Sequence, residues 1–307
     1  MDKIRQKILI IGGAGFIGTH LIKFLINKKY IVSSLSLNYI PMEKRITKVR
    51  YIFLDINKFS QIQKKIKDNY NYVVNLSGYV THNKFEQDGY KILENNFSSI
   101  INLIKFFSNK KIKKFIQIGS SDEYGNNNAP QDESMREKPN SPYALSKVIS
   151  TYILETFYRT YNLPIVILRP FIVFGPGQKD NRLIPYVIKN CIKNKTFFVS
   201  EGKQYRDFCY IEDFVKAIFM IIKSNKLNGE IINISSGKKR TVKSVILQIQ
   251  KLIKLGKPIY KKDIMRTEEN IKLYSNNNKI KNLTKWKPKI SFNQGLINTI
   301  NSYKSEK

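Results

Sequence analysis

Short apolar runs alternate with stretches of helical period along the first half of the chain. Lys7–Ile11 ends in glycines and reads as a buried strand. Leu21, Ile22, Leu25 and Ile26 then fall on one helix face. Tyr30–Leu35, Tyr51–Leu54, Tyr72–Leu76, Phe115–Ile118 and Pro164–Leu168 repeat the strand signal. Helices are predicted around Ile62, Ile66 and Tyr70, over Glu94–Phe107 and over Tyr143–Tyr161. Strands that alternate with helices, and are apolar on both faces, imply a parallel sheet covered on each side. After Arg169 the rhythm breaks at Gly175-Pro176-Gly177. Helices are expected over Leu183–Lys193, Ile211–Ile222, Val242–Leu255 and Gln294–Tyr303, and strands at Phe208–Tyr210 and Ile231–Ile234.

Composition narrows the class. The 307 residues are 42% hydrophobic and 25% charged, so the chain can bury a sizeable core. Cys191 and Cys209 cannot build a disulfide framework. His20 and His82 lie far apart, so a structural zinc site lacks ligands. No apolar run approaches the roughly 20 residues that span a bilayer. The N-terminal apolar run is too short for a secretory signal, and a cytoplasmic location is expected.

The formal charge is +31, from 54 Lys and Arg against 23 Asp and Glu. It could mark a nucleic-acid or anionic-membrane partner. Only 10 of the basic residues are Arg, however, and Lys is spread through every predicted element. Local clusters occur at Lys110, Lys111, Lys113 and Lys114 and at Lys238, Lys239 and Arg240, without a longer basic run. Compositional drift explains this distribution better, and the expectation is no membrane and no nucleic-acid partner. The charge would still steer anionic small substrates.

Two sites carry chemistry. Residues 12–18 read Gly-Gly-Ala-Gly-Phe-Ile-Gly between a predicted strand and a predicted helix. Glycines let a pyrophosphate approach the amides, and the helix N-terminus supplies unpaired N–H groups. A ribose 2′-OH is usually read by an acid about 20 residues on. No acid occurs between Tyr30 and Met42; Ser36 and Asn38 stand there, with Lys44 and Arg45 following. That pattern favours NADP(H), with NAD(H) as the alternative if Ser36 or Asn38 hydrogen-bonds the ribose. Tyr143 and Lys147 stand four apart on one helix face. An ammonium beside a phenol favours the phenolate, so Tyr143 could exchange a proton with a carbonyl or hydroxyl. Ser120 and Ser121 close the fifth strand, where open parallel sheets bind ligands.

These residues together resemble an extended short-chain dehydrogenase/reductase of the NAD(P)-dependent nucleotide-sugar epimerase/dehydratase family. The resemblance rests on Gly12–Gly18, Ile118–Gly125, Tyr143/Lys147, Leu168-Arg169-Pro170, Gly175-Pro176-Gly177 and Arg206-Asp207-Phe208. It implies a Rossmann-type doubly wound parallel sheet with a smaller C-terminal α/β substrate domain. The first would span 1–170, with 207–236 returning to it; the second would take 171–206 and 237–307. It implies Tyr143 as acid/base, Lys147 as its tuner and ribose ligand, and Ser120, four residues before Tyr124, as the third catalytic group. Cofactor contacts would come from Gly12, Gly15, Phe16, Ile17, Gly18, Ser36, Asn38, Arg45, Asp55, Ile56, Leu76, Ser77, Gly78 and Asn96, besides Tyr143 and Lys147. Substrate contacts would come from Ser121, Asp122, Arg206 and Arg266. Arg206 could instead form an ion pair with Asp207 or Glu212. Where family members often carry a substrate-contacting Asn, this chain has Ile172.

The resemblance leaves the reaction to the departures. Dehydratases of this family carry Thr-Asp-Glu where ungapped alignment puts Ser120, Ser121 and Asp122. Only a one-residue shift would restore Asp122 and Glu123. The wording is closest to members that reduce a nucleoside-diphosphate 4-keto-6-deoxy sugar at C4. A 4-epimerase retaining NAD comes second and a 4,6-dehydratase third. A non-catalytic dinucleotide sensor or RNA-binding relative is the reading from another class. The resemblance also implies a homodimer through the Tyr/Lys helix, where Val148, Ile149, Tyr152, Ile153 and Phe157 offer apolar surface.

Overall fold

The computed structural model describes residues 5–81, 83–262, 264 and 269–305. In chain order the first half runs β1 (Lys7–Ile11), α1 (Phe16–Asn27), β2 (Ile31–Ser36), β3 (Val49–Phe53), α2 (Phe59–Lys65), β4 (Tyr72–Asn75), α3 (Tyr90–Phe107), β5 (Lys114–Ile118), α4 (Pro142–Tyr161) and β6 (Ile165–Pro170). The rest runs β7 (Ile172–Phe174), α5 (Leu183–Ile192), β8 (Thr196–Ser200), β9 (Tyr205–Tyr210), α6 (Ile211–Lys223), β10 (Ile231–Ile234), β11 (Lys239–Thr241), α7 (Val242–Ile253), β12 (Lys257–Lys261), β13 (Lys272–Leu273), α8 (Asn278–Thr284) and α9 (Phe292–Ser305).

The chain divides into two compact units. The first takes residues 1–125, 136–169 and 218–232; the second takes 126–135, 170–217 and 233–307. Residues 126–135 group with the second because Gln131 is knitted into it. Its Nε2 donates to the Lys272 carbonyl, and its Oε1 accepts the Tyr274 N–H.

The main sheet has strand order β10-β6-β5-β4-β1-β2-β3. β1 pairs in parallel with both β2 and β4, and β2–β3, β4–β5 and β5–β6 are parallel as well. This is a Rossmann-type α/β fold. The order reverses between β1 and β4, and ligands of open α/β sheets bind at such a switch point.

One side of this sheet is filled by Leu9, Ile11, Val73, Phe115 and Ile167 against Ile100, Leu103, Ile104 and Phe107 of α3 and Leu154 of α4. Each such side chain contributes roughly 1.5–3 kcal/mol by burial. α4 starts where Ser141 accepts the Ala144 N–H and Pro142 takes the first turn. It stops at Asn162, whose φ of 51° lies in the left-handed region.

The apolar residues of α4 do not all reach the surface. Val148 is buried, while Ile153 and Phe157 pack against the core just described. Tyr152 stays exposed on α4, as does Phe97 on α3.

In the second unit β9 pairs with β7, β11 and β13, and β8 pairs with β12. β7, β8, β11, β12 and β13 gave no strand signal in the sequence. They have two to five residues each, and β11, β12 and β13 carry lysines, so no period stands out. Among the described residues no helix is long and apolar enough to cross a membrane.

Candidate functional site

The glycine loop sits at the switch point because its small residues allow two close approaches. A Cβ on Gly12 would lie 3.1 Å from the Leu76 carbonyl carbon and the Ser77 nitrogen, at the end of β4. A Cβ on Gly18 would lie 2.6 Å from Gly13 Cα, so α1 could not pack on its own loop. Gly15 is the N-cap of α1 and supplies no side-chain acceptor to the first turn. The N–H groups there, at Phe16, Ile17 and Gly18, suit an anion.

At the end of β2, Ser36 Oγ is buried with no hydrogen-bond partner. Asn38 beside it is exposed. Arg45 has a defined seat. Its Nε donates to the Ile40 carbonyl at 2.8 Å, and its guanidinium lies 5.0, 5.4 and 5.2 Å from the ring centres of Tyr39, Tyr51 and Phe53. The stacking fixes a cation near the strand end. Asp55 Oδ1 accepts the Asn57 N–H in a tight turn, and Ile56 packs against the core. An uncapped helix start, an orphaned hydroxyl and a glycine cradle together fit a dinucleotide.

Tyr143 and Lys147 lie one turn apart near the start of α4, and both are buried. Lys147 Nζ donates to the Ile118 carbonyl at 3.1 Å and lies 5.8 Å from the Tyr143 ring centre. Burial lowers the Lys147 pKa to about 8, with Glu123 pulling it partly back. Gly78 makes room for this ammonium, since a Cβ there would lie 3.0 Å from Nζ. Asn96 supports the start of α4. Its Oδ1 accepts the Tyr79 N–H, its Nδ2 donates to Ser146 Oγ, and Ser146 Oγ donates to the Tyr143 carbonyl. Ser77 Oγ donates to Asn75 Oδ1 at 2.5 Å, holding the end of β4.

Ser120 lies two residues past the end of β5 and caps a short turn over Ser121–Tyr124. Its Oγ accepts the Asp122 N–H at 3.1 Å. Ser121 is buried and Asp122 half-buried. Glu123 has no exposed surface, and its carboxylate is engaged by protein donors. Oε1 accepts the Ser120 N–H at 2.8 Å. Oε2 accepts Thr151 Oγ1 at 2.8 Å and Arg169 Nε at 2.9 Å. Arg169 also pairs with Glu137, and Glu137 accepts the Tyr152 hydroxyl at 2.9 Å. Burial works against the Arg169 charge, yet Glu123 and Tyr124 outweigh it and its pKa is raised.

Thr151, Arg169 and Glu137 were missed as parts of the site. One signal for Glu123 was visible: Ser120 and Glu123 have the spacing of a capping box. Nothing in the sequence pointed to Thr151 or Glu137 as its neighbours.

In the second unit, Arg206 Nη2 pairs with Glu269 Oε1 at 2.6 Å, and its Nη1 donates to the Tyr205 carbonyl at 2.8 Å. Asp207, weighed as its partner, instead accepts the N–H groups of Ser236, Gly237 and Lys238. Ile172 lies in β7. Arg266 lies outside the described residues.

Comparison with known proteins points to one family. The model of the NAD dependent epimerase/dehydratase family matches residues 8–235. The chain is 31% identical over 260 residues to the dTDP-D-glucose 4,6-dehydratase of Dictyostelium discoideum, which covers 76% of this chain and 59% of that protein. It is 26% identical over 333 residues to the dTDP-glucose 4,6-dehydratase of Haemophilus influenzae, with 97% and 98% covered. The solved UDP-glucuronic acid 4-epimerase of Bacillus cereus, in complex with UDP-glucuronic acid and NAD, superposes with a TM-score of 0.87 at 25% identity. It covers 98% of this chain and 100% of that one. With its glycine cradle at the switch point and Tyr143 and Lys147 on α4, this chain belongs to the NAD-dependent epimerase/dehydratase family.

Proposed function

We infer that the chain reduces the C4 ketone of a nucleoside-diphosphate 4-keto-6-deoxy sugar, with NADPH as the favoured reductant. When bound, the dinucleotide supplies the hydride. Tyr143 gives its phenolic proton to the C4 oxygen as that oxygen becomes an alkoxide, so a ketone, one hydride and one proton become an alcohol. Lys147 stabilises the phenolate left behind. Ser120, whose Oγ already accepts the Asp122 N–H, directs its own proton at the same sugar oxygen. Arg206 holds the diphosphate by replacing its bond to Glu269.

The observation that carries this reading is the engagement of Glu123. Relatives named 4,6-dehydratases make water elimination the obvious competitor. Elimination in this family pairs two acids, and Glu123 is tied to Ser120, Thr151 and Arg169, so Asp122 would have to act without a second acid. The NADPH preference rests on the seat of Arg45 and on the absence of an acid between Tyr30 and Met42. A 4-epimerase retaining NAD is the second reading, favoured by the B. cereus enzyme with its bound NAD. The charge argues little for nucleic acid, because Lys114 of one basic cluster is buried and bonds the Ser224 carbonyl. A homodimer would use the exposed Phe97 and Tyr152 of α3 and α4.

The test is NADPH oxidation at 340 nm with the 4-keto-6-deoxy forms of dTDP-, UDP- and GDP-hexoses. Turnover with one of them supports the reductase. Interconversion of UDP-glucose or UDP-glucuronic acid without net oxidation supports the epimerase.

A further inference from the structure

We propose that Glu123 and Thr151 form a clamp that positions Ser120 against the helix row bearing Tyr143 and Lys147. The proposal rests on the reading that Ser120 and Tyr143 share one substrate oxygen. Tyr143, Lys147 and Thr151 follow one another at intervals of four along α4, and such positions stack on one helix face. Thr151 Oγ1 donates to Glu123 Oε2, and Glu123 Oε1 accepts the Ser120 N–H, each at 2.8 Å. Ser120 is therefore tied through one carboxylate to the row that carries the other two groups. Two groups acting on one oxygen need a fixed separation, because small misplacements are costly in rate.

The clamp is rigid for stated reasons. Glu123 and Arg169 have no exposed side-chain surface. Both Glu123 oxygens are engaged, and Arg169 holds the carboxylate from the side away from Ser120 through its Nε. A side chain at position 119 would collide with Glu123 Oε1, which accounts for the glycine there. Glu123 is a positioning residue in this scheme and touches no substrate atom. Its part in the pH behaviour of Lys147 follows from the same closeness, since it opposes the effect of burial on that ammonium.

Thr151→Val keeps the side-chain shape and removes the hydroxyl, while Thr151→Ser restores it. The first measurement is hydrogen exchange over residues 120–124 of the full-length protein. Thr151→Val should speed exchange at the Ser120 amide about tenfold, and Thr151→Ser should return it towards the parent rate. Unchanged exchange in Thr151→Val overturns the clamp, whatever reaction the protein catalyses. The second measurement is turnover of the 4-keto sugar nucleotides. Thr151→Val should lower kcat about three- to tenfold with KM unchanged, and should have no further effect in a Ser120→Ala background. A loss that persists undiminished in that background overturns the proposal, because the effect would not pass through Ser120. If the parent protein turns over none of these sugars, the functional reading fails, and the exchange result still decides the clamp. Should Thr151→Val not fold, Thr151→Ala is measured in the same two ways.

Discussion

Arg169 Nη2 lies 2.8 Å from Glu123 Oε2, and neither side chain is exposed. A buried pair of this kind is costly to break from one side, because the remaining charge is left without compensation. Arg169→Met should destabilise the protein by about 3–5 kcal/mol. The double substitution Glu123→Leu with Arg169→Met should lose less. Urea denaturation of the parent protein and the two variants checks both statements.

In the proposed reaction Tyr143→Phe removes the proton donor and leaves the ring. The expected loss in kcat is about 10²–10⁴-fold, with dinucleotide affinity nearly unchanged. Stopped-flow oxidation of NADPH and a fluorescence titration separate the two effects.

The pH dependence of stability follows from Lys147 and Lys114. Burial lowers both to about 8 in the folded state, against an ordinary value of 10.5. Below pH 8 both states hold these protons. Between about 8 and 10.5 the unfolded chain binds more of them, so these groups make stability rise with pH. Each contributes at most about 1.4 kcal/mol per pH unit. Lys147→Met and Lys114→Met should each flatten the rise, as read from denaturation between pH 8 and 10.5.

Cofactor choice depends on the end of β2. If Arg45 holds the 2′-phosphate as proposed, Arg45→Ala should weaken NADPH about tenfold and leave NADH nearly unaffected. Ser36→Asp should reverse the preference by placing a carboxylate beside the ribose. Titrations with both dinucleotides measure each shift.

The sheet and its glycine loop were legible in the sequence because they depend on local features. Lys7–Ile11 and Ile231–Ile234 are short apolar runs with clear ends, and they form strands over those same residues. Tyr143 and Lys147 were legible because a helix turn brings residues four apart together. The dual engagement of Glu123 was not. Its partners Thr151 and Arg169 lie 28 and 46 residues away and meet it through folding alone. The same limit applies to Arg206, whose partner Glu269 is 63 residues distant. The strands of the second unit escaped notice for another reason. Lys239–Thr241 and Lys272–Leu273 are too short and polar to show a period, and their pairing on β9 makes them strands.

The most direct test of the account follows the hydride itself. NADPH deuterated at nicotinamide C4 is incubated with the protein and a 4-keto-6-deoxy sugar nucleotide, and the product is examined by NMR. One NADPH oxidised per sugar and deuterium at C4 of the product are expected. Tightly held NAD, with a sugar nucleotide epimerised at C4 and no net oxidation of added NADPH, would contradict the proposed reduction.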